Sequence, residues 1–557
     1  MFLSNLRTEF YDVISGSRVL LLVGCDVDAL CACKILQYLF QCDNVLYTLI
    51  PVYGKVSLNE AFNLHKDQAK FVVLINCGAT IDIVETFEPR EEIIFFICDS
   101  NRPVNILNVY SESQVRLLMK PEDCENIPTY DEIFKDDDSE DEEDEDGRLT
   151  EASILKRRER RLWEENREKI LFDYYQLSYF GESSAQIMFD LAWKMSRDNN
   201  DLLWWSIIGF SEQYVLKKCE EEKYVLNAAA MQGHVSRHNR SENGMSNSTS
   251  CMKITFDKDL NLALYRHWSL YESLMYSKYT ACKFKLWSLK GTKRMSEFLA
   301  EIGLPLAQCR QKFSSMDMEY RNNVGKWMED MSEKYKLDQI VYGSFVSQFG
   351  FKGKFSATDI VYAIIALLES VDKEKTPTDA FLDALDALHR GEVNAIKKGI
   401  ELAKLRMVAI FKQVQTFIDM KYIINAGPFL YAVVPDSTQD MQYFSHPGCL
   451  LMLAHFVLEA HVTISRNRRA DTMPLILFAV DASEPHQCLV VAIPPLAEGT
   501  PKNFFGKAFE QAAKQCRITI SQDVFCSSYI YINKNDQRNI YFCDEGFFEL
   551  LRDKESA

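Results

Sequence analysis

Arg18-Val-Leu-Leu-Leu-Val-Gly-Cys-Asp-Val-Asp28 is an unbroken apolar run that stops on a polar Asp-x-Asp. A short, continuously apolar segment closed by polar residues reads as a strand buried on both faces, as in a parallel sheet. Two later segments repeat the design. Phe71–Ile75 runs into Asn76-Cys77-Gly78, and Ile93–Ile97 runs into Cys98-Asp99-Ser100-Asn101-Arg102-Pro103. Ligands of open α/β sheets bind at the carboxyl ends of the strands, so Asp26, Asp28, Asn76 and Asp99 are expected to converge. The set is incomplete as a metal-ligand shell: three carboxylates, an amide where a fourth would help, and no histidine.

Working outward, strands are expected at Val19–Val23, Val45–Val52, Phe71–Ile75, Ile93–Ile97 and Val104–Val109. Helices fit Asp28–Phe40, Leu58–His65 and Ile81–Phe87, and the alternation predicts βαβ units. From 151 to 416 helical patterns dominate, including Ser183–Met195, Asp201–Val215, Asp259–Met275, Tyr279–Leu289, Met295–Ile302 and Asp317–Tyr335. Ser356 and Asp359 form a capping-box pair before Thr358–Glu369, and Thr376-Pro377 opens another helix. Glu392–Phe417 is one long helical stretch. Strands return at Tyr422–Ile424, Phe429–Val434, Leu475–Val480, Leu489–Ile493 and Ser528–Ile532, with helices at Cys449–His461, Phe504–Cys516 and Phe547–Arg552. The expected fold class is α/β. Its divisions are a mostly parallel-sheet unit over 1–215 with a disordered acidic insertion over 131–155, a helical docking unit over 216–335, a helical connector over 336–420, and a smaller α/β unit over 421–557.

The chain has 557 residues, more than one core ordinarily serves. Its apolar and charged fractions, 47% and 26%, are those of a soluble globular protein. The formal net charge is −17, and ten acidic residues lie in the eleven of Asp136–Asp146. Such a block repels itself and buries nothing, so a disordered loop is expected. The rest is only mildly acidic, which argues against strong duplex-DNA binding. Lys156-Arg-Arg-Glu-Arg-Arg161 follows, either screening that block or serving as a nuclear localisation signal. Sixteen cysteines are scattered singly, without a Cys-x-x-Cys pair, and are expected to be reduced. No signal peptide or spanning segment is expected, and the compartment would be nucleus or cytoplasm.

A two-metal hydrolase holds its ions about 3.5–4 Å apart with some six anionic or imidazole ligands. Asp26 and Asp28 on one loop and Asp99 at a strand end suit Mg²⁺ or Mn²⁺. Asn76, Ser100 and Asn101 do not complete the shell. From the residues alone three readings stand: acidic helix caps, a working metal site, or a relic of one.

The pattern resembles the DHH phosphoesterases, which include the RecJ exonucleases. Asp26 and Asp28 match that family's first Asp-x-Asp, and Asp99 keeps the first letter of its Asp-His-His motif. Asn76 replaces a middle Asp, while Ser100 and Asn101 replace both histidines. Glu212, in Ile207-Ile-Gly-Phe-Ser-Glu212, looks like a later family Asp made one methylene longer. More closely, Cys25-Asp-Val-Asp-Ala-Leu-Cys-Ala-Cys-Lys34, Asp99-Ser-Asn-Arg-Pro-Val-Asn105, Tyr265-Arg-His-Trp-Ser-Leu270 and Lys502-Asn-Phe-Phe-Gly-Lys-Ala-Phe-Glu510 resemble the cell division control protein 45 family. That resemblance implies a catalytically inactive DHH fold without cofactor, its tail unit similar to a DHHA1 domain. Phe504-Phe-Gly506 stands where active relatives carry a Gly-Gly-His loop. It further implies a nuclear subunit of the replicative helicase. The chain would be one copy within a hetero-complex of the minichromosome-maintenance hexamer, the GINS complex and replication initiation factors. The alternative is an active Mn²⁺-dependent single-strand exonuclease using Asp26, Asp28, Asp99 and Glu212.

Remaining constellations carry less chemistry. Lys283-Phe-Lys-Leu-Trp-Ser-Leu-Lys-Gly-Thr-Lys-Arg294 reads as an amphipathic helix end or a docking surface. Phe284 and Trp287 of that stretch, with His267 and Trp268 of the Tyr265–Leu270 motif, are the candidate partner contacts. His234 and His238 have the i, i+4 spacing of zinc ligands but no acidic partner between them. Arg466, Arg468 and Arg469, with Lys502 and Lys507, are candidates for a single-stranded DNA groove. No phosphate-cradling Gly-rich loop with Lys-Ser/Thr occurs, so any motor belongs to a partner.

Overall fold

The computed structural model describes residues 1–135, 151–242, 252–349, 353–465, 467, 469–496, 502–517, 520–521 and 525–536. At the N-terminal end, five parallel strands stand side by side in the order Tyr47–Val52, Val19–Gly24, Phe71–Ile75, Ile94–Cys98, Val115–Leu117. Val19–Gly24 and Phe71–Ile75 are buried along their whole length, as two covered faces require. Register is direct: Val23 pairs with Ile75, and Ile75 with Cys98. The polar residues that follow these strands therefore emerge side by side.

The fifth strand is Val115–Leu117, not Val104–Val109. There Asn105 accepts from the Leu107 amide at 2.9 Å and starts the Ile106–Tyr110 helix, an end signal that outweighs the local β propensity. The acidic insertion begins later than expected, because 131–133 belong to the Tyr130–Ile133 helix capped by Thr129 and Glu132. Residues 151–155 lie on the Glu151–Tyr175 helix. The rest of that insertion, 136–150, lies outside the described residues.

The segment expected to be mainly helical also contains an antiparallel sheet of Met252–Leu260, Val341–Phe349 and Gly353–Ser356. The Asp259–Met275 helix is replaced by a strand end, a short 3-10 turn at Tyr265–His267, and a Leu270–Tyr276 helix capped by Ser269. Buried Met252 and Ile254 alternate with exposed Lys253 and Thr255, the period of a half-covered strand. The Glu221–Glu242 helix carries both His234 and His238, and 243–251 lie outside the described residues.

The C-terminal sheet is mixed, in the order Ile424–Asn425, Leu430–Val433, Leu475–Val480, Gln487–Ile493, Tyr529–Asn533, Ile520–Ser521. The expected Phe547–Arg552 helix lies outside the described residues. Pro447–Ile464 is long and apolar enough to span a bilayer, but its Leu450, Leu453, Val457 and Leu458 pack into the core against Leu477 and Val491 of this sheet. The described cysteines are free thiols, most of them buried. One helix, Val393–Asp419, joins both ends: Ile400 and Ala403 pack into the N-terminal core, Ala409 through Phe417 into the C-terminal one. Gly399 makes the first contact possible, since a Cβ there would come within 2.7 Å of the Ala363 carbonyl on the neighbouring helix.

Candidate functional site: a strand-end pocket closed by its own donors

The three strand ends do meet. Asp26 caps the Val27–Asp43 helix, accepting from the Ala29 amide at 2.8 Å. Asp28 is the second residue of that helix, in its first turn, and is 1% exposed. Asn76 leaves its strand in the left-handed region, φ 52°, and its side chain lies between the two acids. Its Nδ2 donates to Asp26 at 3.0 Å and to Asp28 at 3.2 Å. Its Oδ1 accepts from the Ser100 backbone N–H at 3.1 Å and from the Ser184 hydroxyl. A backbone N–H can only donate, so the amide orientation is fixed with its N–H groups toward the carboxylates.

Asp28 is also satisfied from the opposite side. The amides of Ser184 and Ala185, at the start of the Ser184–Lys194 helix, donate to it at 2.8 and 3.0 Å, and the Ser183 hydroxyl adds a third bond. The positive end of that helix thus faces the negative charge. Asp99 takes four donations, from the amides of Gly78, Ala79 and Asn101 and from the Asn101 side chain, at 2.8–3.1 Å. Gly209 lets the Asn200–Val215 helix close over the pocket; a Cβ there would stand 2.7 Å from Asp28 Oδ1 and 2.5 Å from the Ala185 methyl.

Glu212 lies three residues after Gly209 on that helix, on the same side. It is buried, and its Oε1 accepts from Lys218 Nζ at 2.7 Å while Oε2 has no hydrogen-bond partner. Burial pushes the Glu212 carboxyl up to about 7, against the pull of Lys218. Burial likewise raises Asp26, opposed by the same lysine. Lys218 is kept charged: burial works against it, but Glu212 and Asp26 more than compensate.

The resemblance to DHH enzymes implies divalent ions here, and the donor set does not fit them. A metal needs free lone pairs; those of Asp28 and Asp99 are spent on protein N–H and O–H groups. Asn76 presents hydrogens where a ligand oxygen is required, and Lys218 puts a positive charge on Glu212. Ser100 is buried, and Asn101 is engaged with Asp99 and paired as a strand with Phe180. Among the described residues no group of three or more His, Cys, Asp or Glu has metal-holding geometry.

Beside this pocket runs a cleft of about 1100 Å³ between the N-terminal sheet, the helical segment and the C-terminal sheet. Asn101, Lys218, His455, Lys507 and Tyr529 line it; Asp26, Asp28, Asp99 and Glu212 do not. On one side the two ends are clasped, Ser178 and Asn503 exchanging both backbone hydrogen bonds at 2.8 and 2.7 Å. Of the expected DNA-contacting residues, Lys507 lines the cleft but pairs with Glu510, and Lys502 pairs with Glu125. Arg469 is exposed and does not line the cleft, while Arg466 and Arg468 lie outside the described residues.

The expected docking residues are differently used. Phe284 and Trp287 are 2% and 9% exposed and belong to the C-terminal core, so neither offers a contact face. Leu286, Met295 and Phe298 surround the same interior, which draws the aromatics inward and leaves the lysines outside. His267 stacks on Phe355 and faces Asp359 at 3.5 Å; Trp268 stacks on Tyr276. His234 packs edge-on to Trp193 and Phe189, and His238 meets Asp198 at 2.9 Å. Sequence reasoning missed Lys218, Ser183 and Ser184. The serines carried a signal, an N-cap sequence ahead of an apolar helix; Lys218 carried none.

Comparison with known proteins agrees along the whole chain. The family model described as CDC45 matches residues 19–153 and 119–540. The chain is 44% identical over 555 residues to the cell division control protein 45 homolog of Mus musculus, covering 96% of this chain and 98% of that one. The chain belongs to the cell division control protein 45 family. The Homo sapiens homolog is similar at 43% identity over 554 residues, with the same coverage. A crystal structure of CDC45 from Entamoeba histolytica superposes with a TM-score of 0.72 at 22% identity, over 98% of this chain and 99% of that one, so the fold is shared end to end. Membership in the cell division control protein 45 family makes this chain a DNA replication factor of the cell cycle and implies a role in the replicative helicase complex.

Proposed function

We propose that the chain is a non-enzymatic core subunit and activator of the eukaryotic replicative helicase. It joins the minichromosome-maintenance hexamer to the GINS complex, with initiation factors, during initiation and elongation in the nucleus. The observation that carries the non-enzymatic half is the Asn76 amide, whose N–H groups fill the space between Asp26 and Asp28. A hydrolase of this layout would activate water on metal ions held by free carboxylate oxygens. Here both oxygens of Asp28 and both of Asp99 already accept protein hydrogen bonds. End-labelled single-stranded DNA incubated with the purified chain and millimolar Mn²⁺ should stay intact; trimming that vanishes in Asp99→Ala would end this reading.

For the partner half, the support is family membership together with a basic outer face on the Leu289–Glu301 helix. Lys290, Lys293 and Arg294 are exposed there, beside Leu289 at 92% exposure. Such a face suits an acidic partner patch with an apolar contact at its centre. Deleting this helix would remove core residues such as Met295 and Phe298, so a surface change is the proper probe. Lys290→Glu with Lys293→Glu should weaken co-purification with the helicase ring while the circular dichroism spectrum stays native; undiminished co-purification would remove this face from the proposal. Arg158, Arg160 and Arg161 are exposed on their helix, which supports the nuclear-signal reading of that basic run. For single-stranded DNA we infer at most weak, salt-sensitive contact, since Glu220, Glu221, Glu222 and Glu459 line the cleft alongside its lysines.

A further inference from the structure

Lys218 belongs to no motif of the chain, yet it meets Glu212 near the end of the Asn200–Val215 helix, in a helix-end pocket beside the strand-end one. Its ammonium lies 2.7 Å from Glu212 Oε1 and 5.0 Å from the centre of the Phe180 ring, so a carboxylate and an aromatic face hold one cation between them. Gly209 presses the same helix onto Asp28, which brings Glu212 and its lysine against the strand-end acids. Glu212 Oε2 remains buried without a partner. The cleft reaches Lys218 from outside but not the acids behind it.

We propose that the Lys218 ammonium and the Asn76 amide are built-in substitutes for divalent cations, and that Lys218 keeps a latent cation site shut by filling it. The two groups do what ions would do, setting positive hydrogens against carboxylates: the amide between Asp26 and Asp28, the ammonium on Glu212. They do it with covalently tethered N–H donors that need no ion from solution. Lys218→Ala would free Glu212, and Asn76→Asp would add an oxygen donor beside Asp26, giving a set of hard oxygen ligands with the cleft as the entry path. That set suits Mg²⁺ or Mn²⁺. The inference concerns the isolated chain and stands apart from any partner contact, so its failure would leave the helicase-subunit reading untouched.

The test is Mn²⁺ binding to the full chain, read by electron paramagnetic resonance of free Mn²⁺. Asn76→Asp combined with Lys218→Ala should bind one ion per chain at least about tenfold more tightly than the native protein, and Mn²⁺ should raise its melting temperature. Equal uptake by the native chain, or no uptake by a folded variant, overturns the proposal. Should that double variant fail to fold with and without Mn²⁺, a second pair decides. Lys218→Met alone should lower the melting temperature, and Glu212→Gln added to it should restore most of the loss. A Lys218→Met protein that melts like the native one would show that the ammonium is not the counter-charge, and the proposal falls.

Discussion

Two neighbouring pockets solve the same electrostatic problem in opposite ways. Around Asp28 and Asp99, buried carboxylates are answered by dipoles: backbone amides, serine hydroxyls and one Asn side chain. Around Glu212 the answer is a charge, a single ammonium, and one carboxylate oxygen is left without a bond. Several fixed dipoles specify position and saturate every lone pair. One flexible ammonium supplies charge but little geometry, and the Glu212 carboxyl is displaced upward to about 7. The contrast teaches that saturating dipoles fix the Asp28 and Asp99 side chains in place, while a lone ammonium leaves one Glu212 oxygen unbonded.

The largest blow to that contrast is Asn76→Asp. It exchanges the donor for a third buried acid facing Asp26 and Asp28, and the expected loss is about 3–5 kcal/mol in urea unfolding, the scale of an uncompensated buried charge. A loss under about 1 kcal/mol would mean that the amide is not holding the acids together. Next comes Gly209→Ala. The added methyl would meet Ala185 and Asp28 at well below contact distance, so the two helices must part. Overpacking of this kind costs about 1–3 kcal/mol, and the exchange protection of the Ser184 and Ala185 amides should fall with it.

Ser183→Ala removes one of four donors to Asp28 and should cost about 1.5–2 kcal/mol, as for a hydrogen bond to a charged acceptor. The smallest effect separates the pockets most cleanly. Glu212 has a folded-state pKa above its unfolded one, so its contribution is fully present below pH 4.5 and is lost as pH rises through about 7. Stability of the native chain should therefore carry a downward component across that window. Glu212→Gln should flatten it, while Ser183→Ala should leave it in place. An unchanged pH profile in Glu212→Gln would mean that the carboxyl does not titrate there.

Much of this was legible in the sequence because strands ending on polar residues announce both a parallel sheet and its crevice. Val19–Gly24, Phe71–Ile75 and Ile94–Cys98 fall within a residue of expectation, and their Asp and Asn residues meet. The dipole half of the site was half visible: Ser183 and Ser184 open an apolar helix as capping residues do. Lys218 was invisible for a physical reason. The Asn200–Val215 helix ends on Lys217 in the left-handed region, φ 56°, with no glycine to mark the turn. That turn folds the chain back, the Lys218 amide bonding the Gln213 carbonyl at 2.8 Å, and so returns the lysine to Glu212. The middle segment failed differently. Asp259 was read as a helix start, but it ends a strand and holds Arg266 through both carboxylate oxygens and Tyr265 through one. Periodicity could not foresee an ion pair as the element's stop signal.

The Val393–Asp419 helix is an unbroken spindle sunk at one end into each interior, with about 1.5 Å of axis per residue. Neither terminal sheet can melt without stripping cover from the rod that the other depends on. The folded regions should accordingly denature in one cooperative calorimetric peak, and a twist applied at the tail would be felt, through that rigid axle, beside the pocket near the head.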